Sequence, residues 1–100
     1  MVYVDALAPC QTSRGWAYAE SCHMWADTEA ELDQFAARIA MNPIWKQKVR
    51  FLTASRIRFV HFDLTAGKRK AAVACGAVER SLKSWLQEKR SEPCPPSHAG

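Results

Sequence analysis

A chain of 100 residues has room for one hydrophobic core and excludes a multidomain enzyme. Its 48% hydrophobic and 24% charged residues are the balance of a folded globular domain, which excludes a disordered chain. The net charge is +4, and no apolar run approaches the roughly 20 residues of a membrane span, so the expected partners are soluble and anionic, with no membrane involved.

Met1–Asp5 alternates and predicts an opening strand, with Val2 and Val4 on one face and Tyr3 and Asp5 on the other. Residues 6–20, with Pro9 and Gly15, predict a loop, with room for a short strand near Trp16–Tyr18. Ser21–Ala26 predicts a strand that places His23 and Trp25 on one face and Cys22 and Met24 on the other.

Thr28 and Glu31 have the spacing of a capping box, and Asp27, Glu29 and Glu31 suit the positive end of a helix dipole. Leu32, Phe35, Ala36 and Ile39 follow as an amphipathic stripe, and Asn42-Pro43 is the expected stop. Residues 43–56 are basic and less regular, with Trp45 among them. Arg56–Leu64 predicts a buried strand that puts His61 and Asp63 on one face and Phe62 and Leu64 on the other.

Thr65 is placed to cap a helix running to Cys75, with Gly76 at C′ and Ala71, Ala72, Ala74 and Cys75 as a small-residue face. Residues 77–79 predict a short strand or turn. Ser81–Arg90 predicts a last helix with Leu82, Trp85 and Leu86 inward. The fold class is α/β or α+β: a single small sheet of three to four strands with two to three packed helices. Residues 1–90 form the domain, and 91–100, with Pro93, Pro95 and Pro96, a disordered tail.

The four cysteines, Cys10, Cys22, Cys75 and Cys94, lack the paired spacing of a zinc site. Cys22 and Cys75 fit small core hydrophobes, and Cys94 an exposed thiol in the tail. With no secretory leader visible, the expected compartment is the reducing cytoplasm.

Charge is unevenly placed. Residues 1–45 carry two basic and six acidic side chains, a net of −4. Residues 46–70 carry eight basic side chains against Asp63 alone, a net of +7. Such a block repels itself and favours a phosphate-bearing partner, although a solvated basic face would look the same. Within it, Trp45, Lys46, Gln47, Lys48 and Arg50 interleave an aromatic with cations, the composition that stacks a base while neutralising phosphates. The rim of a protein interface has the same composition.

The segment from His61 to Lys70 runs from a strand into a helix start. Lys68 and Arg69 fall in the first turn, where cations oppose the macrodipole unless an anion sits there. Thr65, Lys68 and Arg69 are therefore candidate phosphate-binding residues, the alternative being that the cations face water or pair with Asp63. His61 and Asp63, with Asp5 and His23 if their strands are neighbours, are candidate catalytic residues. Two histidines and two carboxylates could hold a divalent metal or supply acid–base catalysis. The blander alternatives are that Asp63 only caps the helix and that His23 only packs beside Trp25.

These motifs resemble a family of small bacterial and phage proteins described as domain of unknown function 4031. The resemblance covers roughly residues 1–80 and rests on Val2-Tyr-Val-Asp5, His23-Met-Trp-Ala-Asp27, Trp45-Lys-Gln47, His61-Phe-Asp-Leu-Thr-Ala-Gly-Lys-Arg69 and Gly76-Ala-Val78. The family pattern often has a second acidic residue after Asp5, where this chain has Ala6. That departure weakens a two-carboxylate metal site there. The family pattern also often has Tyr at the position of Phe62. The resemblance singles out residues but implies no reaction. The functional expectation is a small phosphate-, nucleotide- or nucleic-acid-recognising protein, extending to a metal-assisted phosphoesterase or nuclease. The alternative is a non-catalytic accessory protein that binds a protein partner through its basic, Trp-containing surface.

Overall fold

Alternation in the strands and capping at the helix ends account for most of the elements found in the computed structural model, which describes residues 1–9, 19–49 and 59–91. In chain order these are β1 (Val2–Val4), β2 (Ala8–Pro9), β3 (Glu20–Ala26), α1 (Glu29–Arg38), a 3₁₀ turn (Pro43–Trp45), β4 (Gln47–Val49), β5 (Phe59–Leu64), α2 (Ala66–Ala74), β6 (Val78–Glu79) and α3 (Leu82–Ser91). The six strands form one sheet in the order β4-β5-β3-β1-β6, with β2 pairing β3 beyond the end of β1. All pairings are antiparallel except β1 with β6.

The fold is mixed α+β, and the sheet has more strands than the three to four expected. The additional strands are two or three residues long. They are too short to show a periodicity of their own and exist through pairing with longer neighbours. β4 replaces part of the irregular basic stretch expected over 43–56. The short strand expected near Trp16–Tyr18, and Arg56–Arg58 at the start of the expected buried strand, lie outside the described residues.

Both faces of the sheet are covered. On one face Val2, Val4, Cys22, Met24, Phe62 and Leu64 pack with Leu32, Phe35, Ala36 and Ile39 of α1 and with Ala72 of α2. On the other, Tyr3, Trp25 and Phe59 pack with Trp85, flanked by Leu82 and Leu86 of α3. The period of two in β1, β3 and β5 thus divides a mainly aliphatic face, which also holds Phe62 and Phe35, from an aromatic one. Asp27, at the end of β3, anchors α3 to the aromatic face. It accepts hydrogen bonds from Tyr3 Oη at 2.9 Å and Trp85 Nε1 at 3.3 Å.

α1 begins as its sequence predicts, with the Thr28 hydroxyl accepting from the Glu31 N–H. It ends earlier than Asn42-Pro43. Ala40 takes a left-handed φ of +58°, while the N–H groups of Ala40 and Met41 return to the carbonyls of Ala37 and Ala36, a Schellman closure. The reason is packing, because Met41 turns back into the aliphatic core. α2 closes the same way on Gly76 at φ +107°, as expected. Its small-residue face is narrower than expected. Ala72 is buried and Ala71 half-buried, whereas Ala74 and Cys75 are exposed. Cys75 is the C-cap, where the chain has already turned away from the sheet, so it is not a core thiol. Cys22 is, and burial first, then the Asp5 carboxylate, push its thiol up to about 12. α3 starts at the Ser81 hydroxyl, which accepts from the Ser84 N–H, and buries Trp85 as expected. Among the described residues no helix is long and apolar enough to cross a membrane.

Candidate functional site

The sheet order makes β1, β3 and β5 adjacent, and this brings the four expected polar residues together. His23 on β3 stands opposite Asp63 on β5. Asp5 follows β1 and lies beside His23, its N–H donating to the His23 carbonyl at 3.2 Å. His61 is two residues before Asp63 on the same face, and Gln47 of β4 is its cross-strand partner. The convergence of Asp5, His23, His61 and Asp63 therefore follows from register. The cluster lies on the aromatic face, next to Phe59.

Each member is held. Asp5 grips His23 twice: Oδ1 accepts from the His23 backbone N–H at 2.6 Å, and Oδ2 lies 2.8 Å from Nδ1. The Asp5 hydrogen bond raises the His23 pKa above its ordinary 6.5, against the opposing effect of burial. His61 is 4% exposed and stacks on Phe59, with ring centroids 4.4 Å apart and planes 17° from parallel. Its Nε2 lies 3.5 Å from Asp63 Oδ1. The contact with His61, opposed by burial, holds the Asp63 carboxyl below its ordinary range. The other Asp63 oxygen accepts from Gln47 Nε2. The two imidazoles meet edge to face, with centroids 5.3 Å apart. The site is open on one side, since the His23 side chain is 42% exposed.

One ligand-capable atom from each of His23, His61 and Asp63 lies within 4.8 Å of the others. Two imidazoles and a carboxylate can act as an acid–base pair or ligate a transition metal. Asp63 is not a helix cap, because Thr65 fills that role, its hydroxyl accepting from the Lys68 N–H. His23 packs against Phe59 and His61 and is also hydrogen-bonded to Asp5.

The expected phosphate cradle is not assembled by Thr65, Lys68 and Arg69. Lys68 Nζ reaches across to the end of α1 and donates to the Ile39 carbonyl at 2.6 Å. There a cation meets the negative end of a dipole, which offsets its position at the start of α2. Arg69 donates from Nε to the Asp5 carbonyl and from Nη2 to Glu79, both at 2.8 Å. These cations tie α2 to its neighbours and do not converge on one point.

The expected nucleic-acid set is likewise divided. Lys46 is held by Glu29 at 2.6 Å and Asp33 at 2.9 Å, and Lys48 lies 3.9 Å from Glu29. Gln47 points the other way, to Asp63, and Arg50 lies outside the described residues. Trp45 stays 53% exposed beside Ile44, which is 80% exposed. The role of Gln47 in fixing Asp63 was not legible in sequence, because β4 is too short to announce its register. Phe59 could have been found, since period two from His61 places it on the same face.

No curated protein and no solved structure gives a match to this chain. One family model matches residues 2–92, a span that takes in every element of the sheet and α3, beyond the stretch carrying the resemblance noted from the motifs. The cluster of Asp5, His23, His61 and Asp63 lies within that span, and the chain belongs to the family described as Protein of unknown function (DUF4031).

Proposed function

We propose that this protein recognises a phosphoester ligand and hydrolyses it at the His23–His61–Asp63 cluster. The observation that carries the reading is the meeting of two histidines and two carboxylates from three adjacent strands at an open place on the sheet. Asp5 fixes the His23 ring by its Nδ1 edge, leaving Nε2 for the ligand, and keeps that imidazole protonated to higher pH. His23 is then the group that gives a proton to a departing alkoxide. Asp63, ionised and held by Gln47 and His61, is the group that orients the attacking water. The nucleic-acid class of ligand is favoured by the net +7 of residues 46–70. Lys46, Lys68 and Arg69 are engaged internally, so phosphate contact in this reading falls to the remaining cations of that block.

The test is hydrolysis of an activated phosphodiester and of a short single-stranded oligonucleotide by the full chain. The expected result is turnover that falls ~100-fold or more in His23→Gln and Asp63→Asn and is unchanged in Lys68→Met. Equal rates in all four proteins, or no turnover of any phosphoester, would sink it.

A second reading, a binding protein for another protein, is favoured by the adjoining exposed pair Ile44 and Trp45. Salt separates the two. A phosphate-dependent complex weakens steeply as salt rises, whereas an apolar contact through Trp45 does not, and Trp45→Ala abolishes it.

A further inference from the structure

We propose that His23, His61 and Asp63 bind a divalent transition-metal ion of the zinc class, with Asp5 and Gln47 as the outer groups that hold two of the ligands. The inference concerns ion binding and does not depend on phosphoester hydrolysis; an ion on His23 Nε2 takes the place of the proton given to His23 above, because a ligating nitrogen carries none.

Four observations support it. The first is the donor set. Imidazole nitrogens together with one carboxylate suit zinc, cobalt or manganese, whereas calcium and magnesium take oxygen donors. The second is spacing. The three donor atoms lie within 4.8 Å of one another. Ligands 2.0–2.2 Å from a tetrahedral ion stand about 3.4 Å apart, so closure needs side-chain movement of about an ångström.

The third observation is orientation. Metal-bound histidines commonly donate their second ring N–H to a carboxylate, which fixes the ring. Asp5 Oδ2 already occupies that position on His23, 2.8 Å from Nδ1, and Nε2 is the remaining donor. Gln47 engages one oxygen of Asp63, and the other faces His61 Nε2 at 3.5 Å. The fourth is the state of His61. It is 4% exposed, and among the described residues its Nδ1 has no hydrogen-bond partner and its Nε2 has the long contact with Asp63. A buried polar ring with this much unmet capacity is the kind of group that an ion completes. His23 and Asp63, both partly exposed, give the ion a way in and leave coordination positions open. Cys22 does not compete, since its thiol is raised to about 12 and packs on the other face.

The experiment uses the full chain stripped with a chelator and titrated with Co²⁺, followed by Zn²⁺ competition. The expected result is one ion per chain, with visible absorption of low-symmetry Co²⁺ that Zn²⁺ abolishes and Mg²⁺ and Ca²⁺ leave in place. His23→Gln and Asp63→Asn weaken Zn²⁺ binding ~100-fold or more, and Asp5→Asn weakens it roughly 10- to 100-fold. His61→Ala removes a buried ring and can disturb folding. The half-exposed His23 and Asp63 variants therefore decide, each checked by an unchanged circular dichroism spectrum. Absence of saturable Co²⁺ and Zn²⁺ binding overturns the proposal. So does binding that His23→Gln and Asp63→Asn leave intact, which would put the ion on other residues. Zn²⁺ bound without hydrolysis upholds this site and removes the hydrolytic reading. Hydrolysis that persists in protein unable to bind any of these ions does the opposite.

Discussion

The two faces of the sheet use the same strands for different ends. On the aliphatic face every inward residue of β1, β3 and β5 is apolar, and α1 and α2 close over it. On the aromatic face α3 seals one half, where Tyr3, Trp25, Phe59 and Trp85 meet. The other half carries Asp5, His23, His61 and Asp63 on the same strands. A buried histidine such as His61 contributes less to a core than Leu or Phe would, because its nitrogens need partners. The difference teaches that one face is given wholly to packing, while the other divides its strands between an aromatic core and a polar cluster.

Breaking the aliphatic face has the largest expected effect. Phe62→Ala, at a position 1% exposed, should lower unfolding free energy by about 3–5 kcal/mol in urea titrations. A loss under about 1 kcal/mol would show that the two faces contribute alike.

The sealed half of the aromatic face comes next. Asp27→Ala leaves Tyr3 Oη and Trp85 Nε1 without their acceptor and should cost about 1–3 kcal/mol. Burial pushes the Asp27 carboxyl upward, but the hydrogen bonds from Tyr3 and Trp85 together with the charges of the N-terminus and Lys89 leave the pKa below the ordinary 3.8. The folded value lies below the unfolded one. The stabilisation is therefore present above pH 3.8 and is lost as pH falls through the folded value. Acid titration of wild type against Asp27→Ala should show the difference between them shrinking below pH 3.8.

The polar half should behave in the opposite sense. The pKa of His23 is raised in the folded state, so its contact with Asp5 stabilises fully below pH 6.5 and is lost as pH rises through the folded value. In metal-free protein, Asp5→Asn should remove that alkaline loss while leaving the contribution of Asp27 to the acid limb in place. Thermal unfolding across neutral pH reads this directly, and an unchanged profile would mean that Asp5 does not govern His23.

The smallest effect sharpens a contrast within the aliphatic face. α1 and α2 end in the same closure, but α2 has Gly76 at the left-handed position and α1 has Ala40. Ala40→Gly should stabilise by about 0.5–1 kcal/mol, because an L side chain is disfavoured there. A destabilising result would show that the greater freedom of glycine in the unfolded chain dominates at this turn.

Much of this was legible in the sequence. Thr28, Thr65 and Gly76 marked helix ends because a cap is a contact between residues a few positions apart. Alternation placed His61 with Asp63, and His23 with Trp25, because side chains on a strand change face at every step. These local rules also placed Val2 with Val4, Cys22 with Met24 and Phe62 with Leu64 before any strand was paired.

Tertiary structure decided the rest. Asp5 meets His23, and His23 meets Asp63, only because β1, β3 and β5 are neighbours, and strand order depends on pairing between segments far apart in the chain. β4 exists through β5, and with it the hold of Gln47 on Asp63. The cations were the least legible. Lys68 reads as a helix-start cation awaiting an anion, yet it closes the end of a helix 29 residues away. A long flexible side chain takes whichever acceptor the fold brings within reach, and the sequence around it does not record which one that is.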